Sequence, residues 1–217
     1  DKFEPVDTSR PGVFVAGAFG TPKEIAETVM DASGAAARCM ALLRGKSGTE
    51  TAKPVYPPER DVSEEEPKIG VFACYCHPTI DEVIDVDEVL SLTSRQAGVV
   101  HTQALEYGCL PGGPEAIREA IREHKLNRVV IGACTPRTHL PLFHHIIQQE
   151  GLNPQLLEFV SLRDNGAWVH RDDPVGATRK AKEEMRVGVA RSRRFQPYQK
   201  ESRTFHRSAL VIGGGLA

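Results

Sequence analysis

The sequence predicts an α/β domain built on an open parallel sheet of about four strands with flanking helices, in a Rossmann-like three-layer arrangement. Short apolar runs alternate with longer segments of helical periodicity from residue 68 to residue 195. The connections between these segments are short, which indicates parallel strands joined by right-handed crossovers. Of the 217 residues, 40% are hydrophobic, enough for one complete core with further segments at both ends.

Each predicted strand is a short apolar run, and each predicted helix carries an apolar stripe. Strands are predicted at residues 68–74, 99–105, 128–133 and 156–162. Helices are predicted at residues 79–95, 113–125, 137–150 and 174–194. The first of these helices, at residues 79–95, could break near its start at residues 85–87. The last helix has an inner stripe at helical spacing, formed by Ala177, Ala181, Met185 and Val189.

Both ends of the chain differ from this central domain. Residues 10–17 form a predicted turn and buried strand, followed by a helix with Thr21 as its N-cap and Pro22 in its first turn. At the other end, an apolar strand runs into Gly213-Gly214-Gly215, the opening of a dinucleotide-binding G-x-G-x-x-G motif. The chain is therefore expected to be a piece of a longer protein.

The predicted organisation has three domain segments joined by two linkers. The segments are residues 1–46, the central domain 68–195 and residues 208–217, and the outer two are incomplete domains. The linkers are residues 47–67, which are polar and rich in proline, and residues 196–207, which are polar and basic.

Composition excludes several classes of function. A net charge of −2 predicts neither nucleic-acid binding nor binding to an anionic membrane surface. No apolar run approaches the roughly 20 residues of a transmembrane helix. The 5 cysteines are too few and too unevenly spaced for a secreted disulfide framework, so a reducing cytoplasmic location is predicted.

Four of the cysteines are predicted to meet at one edge of the sheet. Cys74 and Cys76 lie at and just past the end of the first strand, Cys109 lies a few residues past the second, and Cys134 ends the third. Open α/β sheets bind their ligands at this carboxyl edge. The remaining thiol, Cys39, lies on the helix predicted in the segment 1–46 and is expected to be part of a core.

Four converging thiols are compatible with several chemistries. Structural zinc takes four thiolates, usually from paired C-x2–4-C motifs, which this chain lacks. A [4Fe–4S] cluster also takes four thiolates, and ligands on separate loops satisfy it if the geometry is met. A reversible redox pair and inert buried thiols are the remaining interpretations. The spacing alone leaves these alternatives open.

Three histidines and one arginine are candidates for tuning a site at this edge. His77 and His139 lie close to the cysteines, and His170 lies in a loop after the fourth strand. Each could donate a hydrogen bond to a cluster sulfide. Arg137 could supply positive charge or pair with a carboxylate such as Asp164. Trp168 is predicted to anchor the core.

The first 45 residues resemble the carboxyl-terminal FAD-binding signature of flavin-dependent disulfide-reductase-like proteins. The resemblance rests on the strand, turn and helix predicted over residues 10–37. It implies cofactor contacts, mainly through backbone amides, at Gly17, Ala18, Pro22, Lys23, Glu24 and Ile25, with Gly213, Gly214 and Gly215 opening a second FAD domain. Many members have Gly-Asp where this chain has Gly17-Ala18, and the aspartate contacts the ribityl chain in those members.

The central domain resembles the amino-terminal domain found in heterodisulfide reductase A subunits, which are flavoproteins, and in their relatives. The matching motifs are Cys74-Tyr75-Cys76, Tyr107-Gly108-Cys109, Ala133-Cys134-Thr135-Pro136-Arg137-Thr138-His139, Trp168-Val169-His170 and Asp172-Asp173-Pro174. The resemblance implies that Cys74, Cys76, Cys109 and Cys134 ligate a [4Fe–4S] cluster close to a flavin. A departure is His77-Pro78, where the family commonly has a glycine.

The resemblance implies an iron–sulfur flavoprotein that transfers electrons as part of a redox complex, with the flanking flavin domains and the other subunits of that complex as partners. The order of the segments predicts two such modules in tandem in the parent, which would be an oxidoreductase, whereas this piece alone is expected to be inactive and to bind no FAD. No catalytic residue is predicted, because no Ser-His-Asp order, P-loop or paired catalytic carboxylates occur. The alternative is a docking domain, zinc-stabilised or metal-free, with no redox role.

Overall fold

The computed structural model describes residues 4–198, 201–205, 208 and 210, and the chain separates into two compact units. The helical unit comprises residues 1–54 and 202–217, and the sheet unit comprises residues 55–201. In the helical unit the main element is α1 (Ile25–Leu43). The sheet unit contains β1 (Ile69–Cys74), α2 (Val86–Thr93), β2 (Val99–Leu105), α3 (Gly113–Glu123), β3 (Arg128–Ala133), α4 (Pro136–Gln149), β4 (Leu157–Ser161) and α5 (Pro174–Ser192).

The predicted α/β class is confirmed, since the sheet unit contains a four-stranded sheet in the order β2-β1-β3-β4 with every neighbouring pair parallel. Strands β2 and β3 have the predicted bounds, and β1 and β4 differ from prediction by one residue at their ends. The two central strands, β1 and β3, are buried along their whole length. Their continuous apolar sequences are what a strand covered on both faces requires.

Two hydrophobic clusters cover the two faces of the sheet. On one face, the buried residues of α3 and α4 pack with Phe72, Val129 and Ile131. On the other face, the buried residues of α2 and α5 pack with Val71 and Val130. The predicted three-layer arrangement is therefore present, with two helices on each side of the sheet.

The predicted helix at 79–95 is wrong over its first half. Residues 77–84 form turns, and α2 begins only at Val86. The Asp85 side chain caps this helix by accepting a hydrogen bond from the Glu88 backbone N–H at 2.8 Å. An aspartate used as an N-cap fixes the first turn of a helix, so the chain before it cannot continue the same helix. Ile80 and Ile84 are nevertheless buried, which explains the apolar periodicity of the turns.

The helical unit departs further from expectation. The predicted buried strand at 10–17 is absent: the described residues contain a single antiparallel bridge between Asp7 and Phe14, and Gly17–Phe19 forms a short 3-10 helix. A strand needs a neighbour along its length to satisfy its backbone groups, and this segment has only one bridge. The helix begins at Ile25 rather than near Thr21, with Glu24 as its N-cap and the Glu24 N–H donating to Glu27 Oε2 at 3.1 Å.

Two residues predicted to be core are exposed instead. Cys39 lies on an exposed part of α1, a helix with no buried residue. Trp168 is 57% exposed and lies in the loop after β4.

Residues 55–67, part of a predicted linker, contact the sheet unit. The Asn127 side chain donates to Glu65 Oε2 and to the Glu66 carbonyl, both at 2.9 Å. The Tyr56 hydroxyl lies 2.8 Å from His145 Nδ1. Buried Val62 belongs to the cluster on the α3–α4 face. This part of the chain therefore contributes to the fold of the sheet unit.

Candidate metal centre

The ends of three adjacent strands carry the four candidate cysteines. Cys74 is the last residue of β1, Cys134 directly follows β3, and Cys109 lies four residues after β2. Because β1 pairs with β2 on one side and with β3 on the other, all of these positions share the carboxyl edge of the sheet. Cys74 and Cys134 are 3% and 5% exposed, whereas Cys76 and Cys109 are half-buried.

The four thiols lie close enough to influence one another. Burial, with smaller contributions from the neighbouring Cys76, Cys134 and Cys109, raises the pKa of the Cys74 thiol to about 12. Burial also raises the pKa of Cys134, with additional contributions from Cys76 and Cys109. The four thiols thus share one edge of the sheet, and their convergence on a single metal or cluster stays a prediction. Without a metal, Cys74 holds its proton at neutral pH.

The backbone after β1 turns the Cys76 side chain toward the core of the sheet unit. The Tyr75 N–H donates to the Leu105 carbonyl at 2.8 Å, and the Cys76 N–H donates to the Glu106 carbonyl at 3.0 Å, so pairing with the β2 side continues past the strand. Cys76 then adopts a left-handed backbone conformation with φ 45°. It contacts both core clusters, which places its side chain at the boundary between the two faces of the sheet.

The turn that carries Cys109 is shaped by close backbone packing. The Gly108 N–H donates to the Cys74 thiol and lowers its pKa against the effect of burial. A Cβ at Gly108 would lie 2.9 Å from Cys74 Sγ, and one at Gly113 would lie 2.4 Å from the Tyr107 carbonyl oxygen. Real Cβ atoms do not approach so closely, so glycine is needed at both positions. These glycines let the Cys109 turn lie directly against Cys74.

Cys134 is fixed by contacts from β4 and from its own turn. The Ser161 hydroxyl donates to the Cys134 carbonyl at 2.8 Å. The Thr135 N–H donates to the Cys134 thiol, and the positive charge of Arg163 also acts on this thiol; both lower its pKa against burial. Two of the four sulfurs therefore have backbone N–H donors, the kind of contact that stabilises a thiolate bound to a metal.

The donor set can be compared with what a single zinc ion and an iron–sulfur cluster need. Four thiolates around one zinc ion, each at about 2.3 Å from the metal, lie about 3.8 Å from one another. Among the described residues, no group of three or more His, Cys, Asp or Glu side chains is placed to hold one metal ion. In a [4Fe–4S] cluster each thiolate binds a different iron, so the sulfurs are spread more widely. All four thiols are free of disulfide bonds, and their ligation of a metal or cluster stays a prediction.

The predicted tuning residues take different positions. His77 Nδ1 lies 3.0 Å from the Asp81 carboxylate, and the His77 carbonyl accepts from the Tyr107 hydroxyl. His139 is half-buried in the first turn of α4, and Arg137 is exposed beside it. The charge of His170 acts on Glu184 of α5. Their roles at a metal centre stay predictions.

The candidate flavin contacts lie in the helical unit. Gly17 is buried with φ 64°, and Ala18 and Pro22 are exposed. Lys23 pairs with Asp31 at 2.5 Å, while Glu24 and Ile25 form the exposed start of α1. The remaining predicted contacts, Gly213, Gly214 and Gly215, lie outside the described residues. Flavin contact at all of these positions stays a prediction.

Sequence reasoning missed Arg163, which lies at the same edge as the cysteines. It lies two residues past the end of β4, and the available signal was its position: any residue just after a parallel strand lies at the carboxyl edge. The cysteine and histidine spacing had instead indicated Arg137 as the source of positive charge at this edge.

No family model matches the chain. Individual relatives do. A segment of 159 residues, 73% of the chain, is 41% identical to the A subunit of the H(2):CoB-CoM heterodisulfide,ferredoxin reductase of Methanothermobacter thermautotrophicus. The chain is also 40% identical over 156 residues to the second of the CoB--CoM heterodisulfide reductase iron-sulfur A subunits of Methanopyrus kandleri. Over these residues the chain is a homologue of the heterodisulfide reductase A subunits.

This homology confirms the resemblance predicted from the cysteine motifs. The matched segment spans only 24% of the Methanothermobacter relative. A 150-residue match at 39% identity spans 19% of the A subunit of the Ferredoxin/F(420)H(2)-dependent CoB-CoM heterodisulfide reductase of Methanosarcina acetivorans. Among the described residues, no helix is long and apolar enough to cross a membrane.

Proposed function

We propose that the sheet unit holds a [4Fe–4S] cluster through Cys74, Cys76, Cys109 and Cys134 and relays electrons within a heterodisulfide reductase-like complex. The observation that carries this proposal is the convergence of four mutually interacting thiols from the ends of three adjacent strands. Homology to proteins named as iron–sulfur subunits of heterodisulfide reductase supports the same chemistry.

The residues at the edge would perform three tasks. The four thiols release their protons when they ligate, so assembly of the site becomes more favourable as the pH rises. The backbone N–H groups of Gly108 and Thr135 compensate charge on Cys74 and Cys134. The buried apolar side chains under the edge exclude water from the two inner sulfurs. The cluster itself supplies one-electron transfer when it is bound.

The helical unit and residues 208–217 would belong to flavin domains of the parent protein. A helix with no buried residue and several exposed large apolar side chains supports this assignment for α1. Apolar surface of this kind is normally covered by the rest of a domain or by a partner. In this proposal the flavin converts two-electron into one-electron steps, and the sheet unit passes single electrons onward to other subunits.

The proposal is tested by measuring iron, acid-labile sulfide, zinc and flavin in the 217-residue chain, purified and reconstituted without oxygen. About four irons and four sulfides per chain are expected from four thiolate ligands. Substituting Cys74, Cys76, Cys109 or Cys134 by serine should reduce this content sharply. Cys39→Ser, on the exposed face of α1, is the matched control and should leave it unchanged.

Three results would overturn the proposal. Stoichiometric zinc in place of iron would favour the docking-domain alternative. Iron that survives each of the four serine substitutions would show that other residues bind it. A chain that takes up neither metal would leave the homology describing the fold alone.

A further inference from the structure

Strand register places Arg163 at the same edge of the sheet as Cys134. Strand β4 runs parallel to β3, with Ser161 paired to Ala133, the residue before Cys134. The hydrogen bond from the Ser161 hydroxyl to the Cys134 carbonyl ties the two strand ends together. Arg163, two residues beyond Ser161, therefore starts the next turn at the height of the cysteine.

The turn that begins at Arg163 is held firmly by the protein. Residues Arg163–Ala167 form a π-helical turn, closed by the Trp168 N–H donating to the Arg163 carbonyl at 2.9 Å. Within this turn, Gly166 and Ala167 are buried. The Lys180 ammonium donates to the Asn165 carbonyl from α5. The backbone of Arg163 thus has little freedom to move away from the edge.

Two neighbours orient the Arg163 side chain. Its Nε donates to Asp164 Oδ1 at 3.0 Å, and its guanidinium carbon lies 4.4 Å from the centre of the Trp168 ring. Stacking of a guanidinium on an indole is the strongest common form of cation–π contact. Trp168, although 57% exposed, therefore helps to orient the Arg163 guanidinium on this surface.

The charge of Arg163 lies in a partly dehydrated environment. Its side chain is only 21% exposed, so solvent screens it less than a surface charge. Asp164 offsets part of the positive charge but lies on the more exposed side of the pair, at 35%.

We propose that Arg163, oriented by Trp168 and Asp164, raises the reduction potential of the metal centre at Cys134. This inference rests on the proposed cluster. Reduction adds one electron and no proton to the centre, so the centre becomes more negative. A fixed positive charge nearby favours that more negative state, and its removal makes reduction harder.

The test is an anaerobic redox titration of the reconstituted chain, followed by electron paramagnetic resonance, with iron content measured in every sample. We expect Arg163→Gln to keep its iron and to lower the midpoint potential by about 59 mV, a tenfold change in a one-electron equilibrium. Arg163→Lys keeps the charge and should retain most of the wild-type potential. Arg186→Gln, which removes an exposed arginine paired with Glu183 on α5, is the matched control and should change nothing.

Two further variants separate charge from structure. Asp164→Asn removes the opposing charge and should raise the potential, whereas Trp168→Ala releases the guanidinium and should lower it by less than Arg163→Gln does. An unchanged potential in an iron-loaded Arg163→Gln protein overturns this inference alone. An equal fall in Arg163→Lys also overturns it, because the effect would then come from altered packing. A wild-type chain without iron overturns the proposed function and this inference together.

Discussion

Helices α1 and α5 are both 19 residues long, yet among the described residues only α5 packs on a core. In the sheet unit, α5 buries seven residues, among them Ala177, Ala181 and Met185, against β3 and β4. In the helical unit, α1 buries none, and Ile25, Met30, Met40, Leu42 and Leu43 are all exposed. Helical periodicity thus predicts a helix in both places, but burial depends on a second layer, which among the described residues only the sheet supplies.

The same contrast holds for the strands. Strand β1 has a parallel neighbour on each side and is buried throughout. Residues 10–17 have an equally apolar, β-branched centre, but their only described pairing is the bridge from Phe14 to Asp7. A strand is stabilised by pairing and by burial of its face, and neither is available to this segment among the described residues of its unit.

The largest expected effect is the loss of a side chain from the sheet unit's core. Phe72 is fully buried on β1, with its ring 5.6 Å from that of His101. Phe72→Ala should lower the free energy of unfolding by about 3–5 kcal/mol, because it leaves a cavity in a central strand. Urea denaturation followed by circular dichroism measures this change.

The matched substitution in the helical unit is Met40→Ala. Met40 is 68% exposed on α1, so its truncation should change the free energy of unfolding by no more than about 0.5 kcal/mol. A loss as large as that of Phe72→Ala would mean that the apolar face of α1 is covered in solution, and the contrast between the units would fail.

Glycines give the second comparison. In the sheet unit, a Cβ at Gly113 would meet the Tyr107 carbonyl oxygen at 2.4 Å and Gly108 Cα at 2.7 Å. Because backbone atoms cannot move aside easily, Gly113→Ala should cost about 1–3 kcal/mol and displace the turn that carries Cys109. Unfolding in urea and iron content after reconstitution are the two measurements.

A glycine of the helical unit should respond in the opposite direction. A Cβ at Gly34, within α1, would meet only Val6 Cγ1 at an ordinary 3.6 Å. Gly34→Ala should therefore stabilise the helix by about 0.5–1 kcal/mol and leave iron content unchanged. If both alanines destabilise equally, the close packing described around Gly113 is not the cause.

Much of the sheet unit could be predicted because local pattern and tertiary structure agree there. The apolar runs of β2 and β3 have the bounds that their sequences predict. The first half of the predicted helix at 79–95 failed because buried Ile80 and Ile84 mimic helical spacing while Asp85 caps a helix that starts later. Periodicity reports which residues are buried, and a turn can bury residues at helical intervals too.

At the candidate site, the convergence of thiols could be predicted from topology, but their surroundings could not. Once the strands are parallel, residues that follow them share one edge, and Cys74 and Cys134 lie there. The contact of Arg163 with Trp168 depends on a π-helical turn that has no sequence signature. Trp168 was expected in the core because tryptophan is usually well buried, whereas here its ring face contacts the Arg163 guanidinium.

The third prediction concerns the junction between residues 55–67 and the sheet. Asn127 is fully buried; its Oδ1 accepts from the Lys68 N–H at 2.7 Å, and its Nδ2 donates to Glu65 and to the Glu66 carbonyl. Asn127→Ala leaves these groups without a partner and should cost about 1–3 kcal/mol. It should also make residues 55–67 easier to cleave in limited proteolysis.

The control for that variant is Asn165→Ala. Asn165 is exposed, and its hydrogen bond to Lys180 uses the backbone carbonyl, which alanine retains. Its effect should stay within about 0.5 kcal/mol. Unchanged proteolysis of Asn127→Ala would show that residues 55–67 are held by other contacts, such as the one between Tyr56 and His145.

The smallest expected effect is a pH dependence that originates in the sheet unit. Glu158 lies on β4, where burial raises the pKa of its carboxyl above the ordinary 4.5 while the Arg191 guanidinium, 2.7 Å away, lowers it. A raised pKa means that the stabilising contribution of the protonated carboxyl is complete below pH 4.5 and is lost as the pH rises through the folded-state pKa. As the pH rises above about 4.5, wild-type protein should therefore lose stability relative to Glu158→Gln.

Removing the partner sharpens this last test. Arg191→Gln deletes the charge that opposes burial, so the pKa of Glu158 should rise further and the loss of stability with rising pH should become steeper. Urea denaturation of the wild type, Glu158→Gln and Arg191→Gln at matched pH values measures both differences. Parallel pH profiles for all three proteins would mean that water reaches this carboxyl freely. The edge strand β4 would then be less well covered than β1 and β3, and the burial that separates the sheet unit from the helical unit would be confined to the two central strands.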